Sequence, residues 1–540
     1  MSSATASASS TAAPALRPAL NPWIIALVVV VPTFMEVLDT TIANVALRYI
    51  AGGLSATVSD GEWVITSYLA ANAVILPLSG WLSSYLGRRN YFLLSIAIFT
   101  IASGLCGMSK SLGQLILCRV LQGLAGGGLQ PSTQGVLLDS FPREKQGAAM
   151  TLFGVAALIA PILGPTLGGW ITDNYSWQWI FYINVPVGAL AFFLAYLVLQ
   201  DPPYLKDLRK DLLSKPLNFD GIGLSLLVIT MVCWETVLSK GQEWDWMGDA
   251  FGRVQFLSVL FILCLGGLLW REFTFKNPII NFRVLGERNL AASSLITFCA
   301  FGILYGGTTS LPGLLQSLFG YDATSSGLVM SPAGIASVTL LPIVGILLGR
   351  GTDARWLVGT GLVIMGISNY WMAHMNLDIS PFQVILPRVV LIVGLSCIFA
   401  PINVAAYLYT PQRWRGAAVG LVSLLRNEGG SVGTSLAQTI QERRAIFHGA
   451  RLDDYLDPLN PAVHAFTQST QASFLAHTGD PAQSQLMAVQ SLSNLRTQQA
   501  ESLGYFDAFW MFAIISFILI FFVPLMRRSV AEKGAHIAAE

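Results

Sequence analysis

Charge is what this 540-residue chain has least of. Asp, Glu, Lys and Arg make up 11% of it, against roughly 25% in a soluble domain. A water-soluble protein of this size could not cover its surface with so few charges, so a soluble fold is excluded. The net charge of +1 favours neither sign, and bulk charge implies no nucleic-acid or acidic partner. The six cysteines, Cys106, Cys118, Cys233, Cys264, Cys299 and Cys397, all fall inside apolar runs and form no CxxC pair, so they read as small hydrophobes rather than a disulfide frame or a metal site. No phosphate-binding loop is present, which removes ATP as a drive, and no HExxH or nucleophile triad stands out, which disfavours an enzyme. His374 ends a span, and His448, His464, His477 and His536 lie in loops or the tail, so none is placed as a buried relay. The Ser/Ala stretch before Asn21 lacks the basic start and cleavage site of a signal peptide, and residues 1–21 are expected to be a disordered cytoplasmic tail.

What the chain has in abundance is long apolar runs. Hydrophobic residues make up 54% of it, and the mean hydropathy is +0.60. A helix needs about 20 apolar residues to cross the hydrocarbon core, and only helices and closed barrels satisfy their backbone there. The runs are not the ten-residue alternating pattern of barrels. The fold class is therefore an all-α polytopic membrane protein. Hydropathy places fourteen spans near 22–47, 63–85, 91–109, 112–138, 147–172, 178–199, 220–239, 252–271, 290–317, 325–348, 355–375, 383–410, 416–439 and 505–526. With the N-terminus in the cytoplasm, 20 of the 31 Lys and Arg fall on the cytoplasmic side. That bias assigns both termini to the cytoplasmic side of an inner-type membrane.

Spans 2–5 and 10–13 echo one another in order. Pro77-Leu-Ser-Gly80 before Gly87-Arg88-Arg89 resembles Pro342-Ile-Val-Gly345 before Gly349-Arg350. Arg119-Val-Leu is matched by Arg388-Val-Val, and Pro131 and Pro401 follow at similar distances. Gly168-Gly169 has a looser counterpart in Gly429-Gly430. Two six-helix bundles are expected, at 22–199 and 290–526, the second including an external loop at 440–504, with Gln438 to Arg451 able to extend span 13 as a helix beyond the membrane. A cytoplasmic linker at 200–219 and two inserted helices at 220–271 lie between them, and 527–540 is a cytoplasmic tail. Repeated halves are what alternating-access transporters rock around a midplane site, although a duplication kept for packing alone would look the same.

Four motifs give this repeat a family likeness. They are Leu38-Asp39-Thr-Thr41-Ile-Ala-Asn44 in the first span, Gly80-Trp-Leu-Ser-Ser84-Tyr-Leu-Gly87-Arg88-Arg89 between the second and third, Leu117-Cys-Arg119-Val-Leu-Gln122-Gly123 in the fourth, and Gly154-x6-Pro161-x2-Gly164-Pro165-x2-Gly168-Gly169 in the fifth. Trp177-Gln-Trp-Ile-Phe-Tyr-Ile-Asn184-Val-Pro186 follows. With these the chain resembles the EmrB/QacA-type drug:proton antiporters, the fourteen-span branch of the major facilitator superfamily, over about residues 22–526. The resemblance implies proton-coupled efflux of hydrophobic or amphipathic organic compounds, with the proton gradient in place of a cofactor. It also implies a periplasmic membrane-fusion adaptor and outer-membrane channel as partners, with loop 440–504 as the docking surface or merely a flexible cap. A dedicated exporter of one metabolite, siderophore or lipid on the same fold is the alternative. Ser84 stands where the second motif commonly carries Asp, which puts the usual charge network there in question.

The residues themselves suggest roles. Glu36 and Asp39 are spaced to share one helix face. A carboxylate in hydrocarbon is costly, and desolvation and a neighbouring like charge both disfavour its ionised form. Asp39, with Glu36, is the candidate proton-coupling site; a structural carboxylate bonded to Asn44 or a neighbouring helix is the plainer alternative. Arg119 cannot shed its charge and needs an acceptor, either Asp39 or backbone carbonyls of the first span. Arg388 is its counterpart near an outer helix end. Glu428, beside Arg426, is a second candidate acid, or one arm of an interhelical salt bridge. Glu235 is a weaker case, since the inserted spans are expected outside the transport core. Gly154, Pro161, Gly164, Pro165, Gly168 and Gly169 describe a kinked, closely packed helix that would seal against proton leak, or ordinary small-residue packing. Gly80, Gly87, Arg88 and Asp139 are expected to form a cytoplasmic latch, with topology signalling as the other reading of Arg88 and Arg89. Asn72, Gln130, Gln134, Tyr305, Gln316, Asn403 and Tyr407 are the expected polar and aromatic lining of a mostly apolar central cavity.

Overall fold

The computed structural model describes residues 21–202, 205, 209, 210, 214, 220–275, 279–411, 414–457 and 459–530. The expected tail at 1–21, all but its last residue, most of the linker at 200–219, and the end of the tail at 527–540 lie outside the described residues.

Apolar runs capped by polar residues become helices. The first six are α1 (Pro22–Val45), α2 (Trp63–Leu86), α3 (Arg88–Met108), α4 (Leu112–Ser140), α5 (Arg143–Asn174) and α6 (Trp179–Val198). The inserted pair follows as α7 (Gly221–Lys240) and α8 (Arg253–Thr274). The second unit holds α9 (Arg288–Ser317), α10 (Thr324–Gly349), α11 (Ala354–Ala373), α12 (Pro381–Leu408), α13 (Arg415–Asp453), α14 (Pro461–Thr478) and α15 (Pro481–Ile520). Asn21, Ser111 and Asp220 each accept a backbone N–H at the start of α1, α4 and α7, satisfying donors that a helix start leaves free.

Among the described residues, twelve helices are long and apolar enough by themselves to cross a membrane. Helix α11 falls short because Asn369, Tyr370 and Trp371 dilute it, and α13 because Arg426, Asn427 and Glu428 interrupt it. Both still run inside the bundle, α11 against α12 and α15, and α13 against α9 and α15. The protein is an all-α polytopic membrane protein, consistent with the fourteen spans read from hydropathy.

The external loop expected at 440–504 is largely helical. Helix α13 continues to Asp453, α14 packs on α15, and α15 starts at Pro481 rather than at 505. Gln, Ser and Ala make such segments polar without making them irregular, since Ala and Gln are good helix formers. Ion pairs of Arg444 with Asp507 (2.5 Å) and Arg496 with Asp453 (2.5 Å) brace the extension.

Glycines let helices meet backbone to backbone. A side chain on Gly302 of α9 would meet the Gly429 carbonyl of α13 at 2.9 Å, and one on Gly433 would strike Gly302. The halves meet through α2 against α13 and α5 against α10 and α12. Helix α7 leans on α2 and α13, whereas α8 touches mainly α7 and shows Phe256, Leu263 and Trp270 outward, as a lipid-facing helix would.

Candidate functional site

The two acids of α1, one turn apart, have different surroundings. Asp39 is buried and accepts from Arg119 Nη1 (2.5 Å), Gln122 Nε2 (2.9 Å) and Asn184 Nδ2 (2.7 Å). Arg119 also donates from Nε to the Val64 carbonyl (3.1 Å) and lies 4.1 Å over the Tyr68 ring. Its backbone anchor is thus on α2 rather than the first span. Asn44 is not among the partners of Asp39. Asp39 is a matched ion pair saturated by amides. Gln122 and Asn184 stood within the quoted motifs, but spacing alone did not reveal them as its donors.

Glu36 is equally buried but has only neutral donors: Gln130 Nε2 (2.5 Å), Asn72 Nδ2 (3.1 Å) and the Tyr68 hydroxyl (3.2 Å). Two of these amides reach across to the second half. Gln130 Oε1 accepts from Arg426 Nη2, and Asn72 Oδ1 accepts from Asn427 Nδ2 (2.9 Å). Arg426 is also flanked by the Phe153 and Phe301 rings, 5.5 and 5.6 Å away. Glu36 therefore sits at the head of two amide bridges to α13.

Above these bridges lies a cavity of about 430 Å³. Arg48, Glu62, Gln316 and Gln438 line its mouth at one end of the bundle, and Glu36, Gln130 and Tyr305 lie deeper. Of the residues expected to line a cavity, Gln130, Tyr305 and Gln316 do so. Asn72, Gln134, Asn403 and Tyr407 do not. The Tyr407 hydroxyl donates to Gln134 Oε1 (3.1 Å), joining α12 to α4, and Asn403 turns back to the Phe399 carbonyl (2.7 Å). Asp39 is also absent from the wall, although Arg119 reaches it.

The inserted helix contributes to this wall, contrary to the expectation that it stands outside the core. Glu235 of α7 lines the cavity and accepts from Ser431 Oγ (3.0 Å). Glu428 faces Glu235 and Trp234, and no cation pairs with it among the described residues, so the salt-bridge alternative for Glu428 is not what the structure holds. Lys240 at the end of α7 is tied to Glu62 (2.6 Å), Glu243 (2.6 Å) and the Ser59 carbonyl (2.6 Å), which fixes α7 to the start of α2. Just past α7, burial raises the Glu243 carboxyl, but hydrogen bonds from Lys240 and Ser59 more than offset this and hold it below its ordinary value.

The glycine-proline helix packs as its composition suggests. A side chain on Gly164 would strike Thr41 of α1, and one on Gly168 would meet Ile42 at 3.3 Å. Gly154 lies under the Phe399 ring of α12 (2.6 Å to an added Cβ), at the seam between halves. Pro161 and Pro165 sit inside α5, Pro165 on the cavity wall, and the Gly169 carbonyl accepts from Thr172 (3.0 Å).

At the end opposite the mouth the halves are closed. Arg88 pairs with Asp139 and donates to the Gly135 carbonyl (3.0 Å). Arg415, at the start of α13, stands 4.0 Å from the same Asp139, so this carboxylate joins the two halves. An added Cβ at Gly80 would meet the Gly416 backbone at 2.8 Å, which only a glycine tolerates. Gly87 takes a φ of +86° between α2 and α3, where Asp201 Oδ1 accepts the Arg89 N–H (2.8 Å). Ser84 spends its hydroxyl on the Gly80 carbonyl of its own helix (2.9 Å), so the acids here are Asp139 and Asp201.

Two matched helical units around a polar-floored cavity, open at one end and closed at the other, define a membrane transporter. The chain belongs to the major facilitator superfamily, whose description matches residues 29–434, and it is of EmrB type. It is 35% identical over 492 residues to "Multidrug export protein EmrB" of Haemophilus influenzae, covering 91% of this chain and 93% of that one. It is 34% identical to the protein of that name in Escherichia coli (93% and 96% covered) and 33% identical to "Fatty acid resistance protein FarB" of Neisseria gonorrhoeae (93% and 95% covered). Among solved structures, the human organic anion transporter MFSD10 superposes with a TM-score of 0.57 at 12% identity, covering 94% of this chain and all of that one. The proton:xylose symporter XylE gives 0.58 at 12% identity, covering 95% and 97%. These two likenesses concern the fold alone.

Proposed function

We propose that the protein is a proton-coupled multidrug exporter of amphipathic compounds, with Glu36 as the carboxyl that loads and unloads the proton. The observation that carries this reading is the double amide bridge from Glu36, a cavity-lining acid, to Arg426 and Asn427 of α13. While Glu36 is ionised, Gln130 and Asn72 spend their N–H groups on it and turn their carbonyl oxygens to the other half. A proton on Glu36 removes acceptor strength from both amides, which loosens the closure beneath the cavity. With the Arg88 end in the cytoplasm of a bacterial inner membrane, as the Lys and Arg bias supports, the proton enters from outside and is released inside. A compound bound from the inside then leaves through the outer mouth. Asp39 and Arg119 keep their pairing and shape α1 beside this acid. The names of the EmrB relatives support multidrug export, and the helical projection α13–α15 on the outer side is where an adaptor leading to an outer-membrane channel would dock.

The test is reconstitution of the full chain in liposomes carrying a pH-sensitive dye, with a chemically varied panel of amphiphiles. Export of many of them, each accompanied by proton movement and lost when the gradient is collapsed, is the expected result. Export of one compound alone would replace this reading with a dedicated transporter, and export indifferent to the gradient would remove Glu36 from its role.

A further inference from the structure

We infer that Arg388 and Thr308 form a subsite for the anionic head of an amphipathic ligand in the second half of the bundle, an inference that rests on export of amphiphiles only for its biological use. Arg388 of α12 is 1% exposed, and its Nη2 donates to Thr308 Oγ1 (2.5 Å). Its Nε and Nη1 have no acceptor, and no carboxylate pairs with it among the described residues. Thr308 donates its own proton to the Leu304 carbonyl (2.7 Å) and accepts from Arg388, but a neutral hydroxyl leaves the positive charge uncompensated.

A guanidinium cannot escape this position by losing its proton. A buried charge without a partner is strongly destabilising, and Arg119 at the equivalent point of the repeat meets that demand with Asp39. Here the position facing the arginine is a threonine, so the negative charge must come from outside the chain. The cavity lies immediately beyond, because Thr308 is one of its lining residues. Gly307 keeps one approach clear: an added Cβ there would come within 3.3 Å of Nη1. Arg388 is not itself on the wall; Thr308, which is, stands between the guanidinium and the chamber. Nearby walls of Val37, Ile65, Leu69, Leu238 and Pro312 suit an apolar body, so the ligand is a carboxylate or comparable anion on a hydrophobic frame.

The test measures binding rather than transport. Full-length protein in phosphatidylcholine nanodiscs is titrated with 11-(dansylamino)undecanoic acid, with its uncharged methyl ester, and with tetraphenylphosphonium as a cation of similar hydrophobicity. Wild type is expected to prefer the acid over the ester. Arg388→Gln is expected to weaken the acid by about ten- to hundred-fold, the worth of a charge-assisted hydrogen bond, while leaving ester and tetraphenylphosphonium unchanged. Arg388→Lys, which keeps the charge, should retain a share of the preference, and retained tetraphenylphosphonium binding certifies a folded cavity. Equal acid and ester affinity in wild type, unchanged acid binding in Arg388→Gln, or parallel loss of all three probes would each overturn the assignment. Binding with these signatures but without export would leave the subsite standing and remove the transport reading instead.

Discussion

The two halves of the repeat handle buried charge in opposite ways. In the first, Arg119 and Asp39 neutralise each other and two amides fill the remaining valences. In the second, Arg388 and Arg426 have no carboxylate against them among the described residues, and Glu428 has no cation. Arg426 is satisfied instead by an amide of the other half, Gln130, and Arg388 by half a hydroxyl. The first half is therefore electrostatically complete on its own. The second is completed only by its neighbour or a ligand, which is the property expected of the half that responds to occupancy. Glu36 stands at the border: it belongs to the first half by sequence and to the second by its bridges.

Substitutions can break this contrast, starting with the largest effect. Glu36→Gln removes the titrating group but preserves a partner for Tyr68. Gradient-driven export in liposomes is expected to drop to the level of empty vesicles, with a modest fall in melting temperature, because the amide keeps an oxygen for Tyr68 and Asn72 but loses the acceptor of Gln130. Full export would transfer proton coupling to another acid. Asp39→Asn attacks the complete half: it leaves Arg119 charged, buried and unpaired, at a cost of about 3–5 kcal/mol, visible as a large fall in melting temperature in detergent. An additional Arg119→Gln should restore part of the loss, and the absence of any restoration would show that the pair is not acting as a unit. If Asp39→Asn were stable and yet uncoupled, proton transfer would belong to Asp39 and the contrast would fail.

Glu428→Gln probes the incomplete half. Because no cation depends on this carboxyl and Glu235 faces it, stability should hold or rise. Binding of tetraphenylphosphonium should weaken only several-fold, since Glu235 lines the cavity and Glu428 lies behind it. A marked loss of stability would mean that Glu428 has a structural partner after all. The smallest effect is expected from Arg415→Ala, which removes a 4.0 Å contact between partly exposed groups. It is worth up to about 1 kcal/mol, enough to shift the balance of open ends a few-fold, read as faster labelling of a cysteine placed at the Arg88 end.

Part of this arrangement is legible in the sequence. The spans and the repeat follow from apolar runs and the order of the motifs. Arg119's need for an acceptor follows from the cost of a lone charge in lipid, but whether Asp39 or a backbone carbonyl meets that need is decided only by the fold. The extension of span 13 through 438–451 is legible in the sequence and is what α13 does, running to Asp453. The helices after it are not, because hydropathy records polarity whereas helix formation there rests on Ala and Gln propensity and packing. Insertion in sequence says nothing of distance in space: α7 packs against α2 and α13, which brings Glu235 to the cavity. Gln134 and Tyr407 were expected in the cavity wall and instead meet each other beneath it.

The sequence alone settled that this chain lies in a membrane as helices, in two related units, with a handful of charges that must find partners. Each of those conclusions depends on residues close together in the chain or on the cost of moving a side chain out of water. Which acid fronts the cavity, which arginine is left without a counter-ion and which amides bridge the halves were decided by tertiary structure. Those pairings join residues separated by up to several hundred positions, such as Asn72 with Asn427, and local periodicity carries no information about which distant faces will meet.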